Sequence, residues 1–298
     1  MLFAFISAVF PVFFVAGIGF ILAKRTDYLE HPGLSMLSSQ IALPALVFYS
    51  VVKMQVPPGD LLYLMGVTAL CLAMGASLVA IFCKVRNISP KFFISTLVNP
   101  NTGNLGIPIV FALLGPEALA PAIIISTTVS LSHFTLGTTA MSGAYQWRKL
   151  LTNMPLIALL SGVLVVFLGI ELPKPAFKSL EMISGIALPI MLMLLGRSLA
   201  RLKVNDASQV LQISLLSLYR PISGFLIAFL VTRFVGLNDL ETLSLLIQMS
   251  MPVAVMSYIL TVRYSGPADL VAALTVTSLP VMLVIVSLIY QYQDLLVL

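Results

Sequence analysis

Ten apolar stretches, each bounded by charged or turn-forming residues, run along the chain at about 3 to 23, 34 to 52, 61 to 83, 92 to 114, 120 to 144, 154 to 170, 182 to 200, 209 to 233, 242 to 262 and 270 to 290. A helix needs roughly 20 residues to cross about 30 Å of hydrocarbon, and these runs approach that length. The pattern predicts an all-α polytopic membrane protein with ten transmembrane helices and short loops. The first run has no basic segment before it and passes directly into Lys24 and Arg25, so it reads as a retained helix rather than a cleaved signal.

Composition strengthens that reading. Of 298 residues, 59% are hydrophobic and 9% charged, against about 25% charged in a soluble globular domain. The two cysteines, Cys71 and Cys83, lie in or beside one apolar run, and no Cys/His group has metal-ligand spacing. Disulfide scaffolds, zinc sites, metals and cofactors are therefore not expected.

Charge in the loops sets orientation, because Lys and Arg in short loops are retained on the cytoplasmic side. One set of loops carries Lys24, Arg25, Lys84, Arg86, Lys91, Arg148, Lys149, Arg201, Lys203 and Arg263, with Arg197 at its margin; the other carries Lys53, Lys174, Lys178 and Arg233. The bias predicts both termini outside and residues 145–151 in the cytoplasm. Tyr49, Tyr63 and Trp147, near run ends, read as interfacial anchors.

Weak internal repetition follows. Ile41-Ala42-Leu43-Pro44 in the second run recurs as Ile186-Ala187-Leu188-Pro189 in the seventh; Pro11 corresponds to Pro155 and Pro100 to Pro252. A repeat with an odd number of spans inserts its second copy upside down, so the expected organisation is two inverted five-helix repeats, 1–150 and 151–298. Pro44 and Pro189 read as kinks rather than ligand contacts.

The most informative stretch is Asn99-Pro100-Asn101-Thr102-Gly103-Asn104-Leu105-Gly106-Ile107-Pro108, in the middle of the fourth run. Its prolines remove backbone donors and its asparagines would be buried without partners in lipid. Broken backbone at membrane depth is tolerated only inside protein or beside a watery cavity, which predicts a discontinuous helix. Gln248-Met249-Ser250-Met251-Pro252-Val253-Ala254-Val255-Met256-Ser257 is its counterpart in the ninth run. Two such breaks meeting at the midplane aim helix N-termini at a bound anion. A pair of proline kinks without a ligand explains the prolines but not the asparagines.

With these residues in view, the chain resembles the auxin efflux carrier family, which includes plant auxin carriers and bacterial permeases for small organic acids. The resemblance covers nearly the whole chain and rests on the asparagine-proline stretch Asn99 to Pro108, with Pro252 matching the proline of a second crossing helix. It implies a fold similar to bile-acid/sodium symporters, with broken helices 4 and 9 crossing at the substrate. It also implies a scaffold of helices 1, 2, 6 and 7 and a moving transport domain of helices 3–5 and 8–10, with a homodimer through the scaffold as one arrangement. The third run carries Thr68, Cys71, Gly75 and Ser77 where plant members carry charge.

The remaining polar residues within the runs are few. All eleven acidic residues lie in loops, at run ends or near a terminus. Arg220 lies near the centre of the eighth run, on one helical face with Ser217 and Gly224 and followed by Pro221 as a kink. An ionisable residue at that depth is costly, and two readings stay open: attraction for an anion, or a lock on carbonyls of a broken neighbour. His133 shares a stripe with Ser126, Ser130 and Gly137, either as a proton or polar relay, with an unperturbed pKa of about 6.5, or as a helix-helix hydrogen-bond partner.

No HExxH, GxSxG or Walker motif occurs, and Asp60 and Asp269 lie outside the runs, so neither an enzyme nor a nucleic-acid binder is expected. The expected function is alternating-access transport of a small organic anion, such as a mono- or dicarboxylate or auxin-like acid, across a bacterial inner membrane. Asn101 and Asn104 would bind the carboxylate, Asn99 and Thr102 would shape the unwound segment, and Pro100, Pro108 and Pro252 would hold the breaks, with Met251 and Arg220 also at the substrate site. A sodium-coupled symporter of the same fold is the close alternative, coupling to sodium or protons being open; a channel or sensor is the remote one.

Overall fold

The computed structural model describes residues 2–55, 57–85, 87–143, 152–201 and 210–297. They form α1 (Leu2–Arg25), α2 (Pro32–Lys53), α3 (Pro58–Val85), α4 (Phe93–Val98), α5 (Thr102–Leu114), α6 (Pro116–Ser142), α7 (Met154–Phe167), α8 (Lys174–Arg201), α9 (Val210–Thr232), α10 (Asp239–Met249), α11 (Val255–Arg263), α12 (Ala268–Gln291) and a last short turn, α13 (Gln293–Leu296). No strand is present among the described residues. Among the described residues, seven helices are long and apolar enough to cross a membrane in one piece: α1, α2, α3, α6, α8, α9 and α12. The fourth and ninth runs are each divided in two, and α7 is short, ending beyond Phe167 at Gly169 with a positive φ of 61°. Residues 144–151, which hold Trp147 and the central loop expected from its charges to be cytoplasmic, lie outside the described residues.

Proline chemistry explains the irregular helices. A helical proline lacks an N–H and crowds the carbonyl four residues earlier. In α2 the chain answers Pro44 with a wide turn over Ser38–Ala42. In α8 the helix is interrupted at Ile186, three residues before Pro189. The duplicated Ile-Ala-Leu-Pro thus marks a distortion in both copies. By contrast, α9 passes Pro221 without interruption.

One boundary departs from the hydropathy reading. The seventh run begins at about 182, yet α8 starts at Lys174 with Pro175 in its first turn. This first stretch carries Lys174, Lys178 and Glu181, which hydropathy scores as loop. There Tyr49 leaves the simple anchor role: buried, it donates to Glu181 Oε1 at 2.8 Å, accepts from Lys53 Nζ at 3.0 Å and packs on Phe177.

Packing follows small residues. The most extensive contact joins α1 to the second half of α8, where a Cβ added at Gly19 would overlap the Met193 backbone and one at Gly196 would overlap the Ala16 backbone. Only glycine lets two helix backbones approach so closely, and in lipid such close approach replaces the hydrophobic drive. Other extensive contacts join α7 to α2, α9 to α12, and α3 to α6. Large apolar side chains such as Phe10, Phe14, Leu160, Leu164 and Leu226 face outward, as a lipid solvent requires. On the basic side, Arg201 pairs with Glu30, and Arg197 donates to the Leu29 carbonyl at 2.6 Å and to Ser35 Oγ at 3.1 Å.

Candidate functional site

The two helix breaks lie against each other. The helical ladder stops at Val98, Asn99 takes extended backbone, and α5 opens at Thr102 with a wide turn in which Gly106 N–H donates to Asn101 O at 3.0 Å. In the ninth run, α10 stops at Met249 and α11 begins at Val255. Pro100 and Val253 form an isolated antiparallel bridge, and Asn101 N–H donates to Pro252 O at 2.9 Å. Proline removes a donor from each segment, and Asn101 of one supplies a donor to Pro252 of the other, so the pair of breaks satisfies part of its backbone internally. The N-terminal ends of α5 and α11 and the C-terminal ends of α4 and α10 all converge here, bringing positive and negative dipole ends together.

Serines from the following helices clamp both breaks. Ser132 Oγ donates to Asn99 Oδ1 at 2.7 Å, and Ser278 Oγ accepts from Val253 N–H at 3.2 Å. Ser257 Oγ donates to the Ser95 carbonyl at 2.9 Å, tying α11 to α4. Gln248 Nε2 donates to the Ala122 carbonyl at 2.6 Å, and a Cβ at Gly106 would lie 2.7 Å from Gln248 Oε1. Sequence reasoning singled out none of these serines as clamps, although Ser132 and Ser278 stand 146 positions apart, in step with the repeated prolines.

Arg220 reaches the crossing from α9. It is 1% exposed, and its Nη1 donates to the Met249 carbonyl, the last of α10, at 3.3 Å. A cation at a helix C-terminus is favourable, so this bond has the geometry of the lock. Gly224, one turn on, leaves the room: a Cβ there would overlap both the Met249 carbonyl and Arg220 Nη1. Ser217 turns the other way, to Thr277 of α12. The guanidinium is only partly used, because Nε and Nη2 have no partner.

Other buried groups share that condition, among them the acceptor Gln248 Oε1. Asn99 Nδ2 is unpartnered in a fully buried residue, and His133 Nδ1 is unpartnered in a residue 5% exposed. His133 lies within electrostatic range of Arg220. It opens a wide turn, His133–Gly137, so the polar stripe read at ideal helical spacing is displaced: Gly137 packs against Ser95 Oγ and Asn99 Nδ2. Of the other sequence candidates, Asn101, Thr102, Met251 and Pro252 are buried at the crossing, Pro108 sits inside the first turn of regular helix after the break, and Asn104 is half-buried. Among the described residues, no group of three or more His, Cys, Asp or Glu could hold a metal ion.

Around the crossing the unpartnered nitrogens of Arg220 and Asn99 outnumber the unpartnered acceptor Gln248 Oε1, and no carboxylate belongs to the breaks or to α9. Burying donors without acceptors is costly, which leaves the arrangement suited to an anionic or carbonyl-bearing guest.

Comparison with known proteins places the chain in a family. Over 182 residues, 58% of each chain, it is 30% identical to an uncharacterized transporter of Methanocaldococcus jannaschii, so that alignment spans less than two thirds of the relative's length. Over 246 residues, 78% of this chain and 79% of the relative, it is 26% identical to an uncharacterized transporter of Methanothermobacter thermautotrophicus. The description "Membrane transport protein" matches residues 4–144 and 138–290, and the chain belongs to that family, the auxin efflux carrier family of multi-pass membrane transporters.

Proposed function

We propose that this protein is an alternating-access secondary carrier for a small organic anion, and not an enzyme. The observation that carries the reading is the set of unpartnered nitrogens, Arg220 Nε and Nη2 and Asn99 Nδ2, buried where the two breaks meet. A carboxylate would accept from them in charge-assisted bonds, with Asn101, Thr102 and Asn104 completing the pocket beside Pro100, Met251 and Pro252.

In this reading α4 with α5 and α10 with α11 each count as one crossing, giving ten spans in two inverted repeats divided near residue 150. Exchange of the repeats maps the α1–α8 contact onto the α7–α2 contact, and the α3–α6 contact onto the α9–α12 contact, which supports the symmetry. The same exchange pairs Pro100 with Pro252 and Ser132 with Ser278. Helices α1, α2, α7 and α8 would form the scaffold, also the natural dimer surface, and α3–α6 with α9–α12 the moving part. Transport would proceed by rocking the crossing between the two sides of a prokaryotic inner membrane, with both termini outside.

A thermal-shift screen of the purified protein against mono- and dicarboxylates tests the reading, since a ligand that binds only the folded state raises its apparent stability. At least one small carboxylate should raise the Tm of the native protein, and much less that of an Arg220→Gln variant. Equal shifts in both would place binding elsewhere.

A further inference from the structure

The proposed site explains Arg220 and Asn99 but leaves His133 unused. Its Nδ1 is buried and unpartnered at the start of a wide helical turn, a local geometry that recurs at functional sites. Ser132, the adjacent residue, already holds Asn99 Oδ1. The turn packs against α4 and α11, and among the described residues of those two helices the only titratable or charged groups are Tyr258 and Arg263, both on α11. From α9, Tyr219 and Arg220 complete the set, and on its own helix the only other one is the distant Glu117. Of these, Arg220 is the cation held at the crossing itself, on the Met249 carbonyl.

Charge balance then gives His133 a role. With the site empty, the guanidinium carries a permanent positive charge without an acidic partner, and a second cation beside it is opposed by repulsion and by burial. An anion that accepts from Arg220 removes the repulsion, so the anion and a proton favour each other's arrival, reciprocally. A monoanion only neutralises Arg220. A dianion leaves one negative charge over, and a proton on His133 makes the loaded site neutral, the state least costly to move through a low-dielectric core.

We propose that His133 is the proton-binding site of a coupled carrier, taking up one proton with each small dianion such as a dicarboxylate and releasing it with the dianion on the other side. This rests on the organic-anion reading above and adds to it the coupling ion and the charge of the substrate.

Calorimetric titration of the purified full-length protein with succinate and with acetate, in buffers of different ionisation enthalpy, counts protons taken up on binding. Between about pH 6.5 and about pH 8.5 both probes hold their charge while a histidine can change its own. Succinate should draw about one proton and bind up to about tenfold more weakly per pH unit as pH rises, whereas acetate should bind with little proton uptake. His133→Gln should bind succinate at the weak high-pH affinity, flat with pH and without proton uptake. Native protein that binds succinate with no proton uptake, or only with sodium, overturns the coupling whether or not the variant folds. So does proton uptake that persists in His133→Gln. If neither probe nor any other small carboxylate binds the native protein at any pH, the organic-anion reading fails first and the coupling with it.

Discussion

Asn101 donates its backbone N–H to the carbonyl of Pro252, 2.9 Å away, so the two broken helices hold each other by main chain where they cross. The Asn101 side chain is left free for another task, although the residue is buried. Asn101→Ala should keep the crossing, and hence the fold, while weakening anion binding by about 1–3 kcal/mol, the scale of a hydrogen bond to a charged group. Unchanged affinity in a folded variant would remove Asn101 from the site.

Gly224 separates space from chemistry. A Cβ there overlaps the Met249 carbonyl, the same atom that receives Arg220 Nη1, whereas one at Gly236 meets nothing within 4 Å. Overpacking of this kind costs about 1–3 kcal/mol, so Gly224→Ala should lower Tm and Gly236→Ala should leave it nearly unchanged. Equal melting of the two variants would mean that α9 and the end of α10 can part freely.

Arg220 carries both a lock and unused donors, and the two contributions are separable. Arg220→Lys keeps a charge but loses the planar fork, and Arg220→Gln loses the charge. If the anion is the main beneficiary, affinity should fall steeply from Arg to Lys to Gln while Tm in the absence of ligand falls less. Loss of Tm with near-normal affinity in the surviving protein would make the Met249 bond its whole purpose.

Orientation can be read by cysteine labelling. Cys71 and Cys83 are free and buried, so their removal gives a clean background. A cysteine at Gln293 should react with an impermeant reagent from outside, and one at Gln146 only after the cytoplasmic side is opened. The reverse would overturn the loop-charge argument.

The two breaks were legible in the sequence because proline and asparagine at membrane depth leave few backbone solutions, and Asn99-Pro100-Asn101 and Met251-Pro252 fall where helices stop. The kinks at Pro44 and Pro189 were legible for the same reason. Side-chain registry was harder to read. The wide turn at His133 inserts extra backbone into α6, so Gly137 points toward Asn99 rather than along the expected stripe. The clamps by Ser132 and Ser278 depend on which face of α6 and α12 meets the breaks, a tertiary property that hydropathy does not carry. The early start of α8 was hidden because Lys174, Lys178 and Glu181 score as loop while Phe177 and the Tyr49 contact hold them in a helix.

The central claim is that the crossing of α4–α5 with α10–α11 binds an organic anion and carries it by alternating access. Counterflow tests it most directly. Proteoliposomes containing the purified protein are loaded with unlabelled succinate, diluted into trace labelled succinate, and followed for uptake. The account predicts saturable, transient accumulation of label above equilibrium, lost in Arg220→Gln and reduced in Asn101→Ala. Non-saturating uptake without overshoot, or unitary currents in a bilayer carrying the same protein, would contradict it.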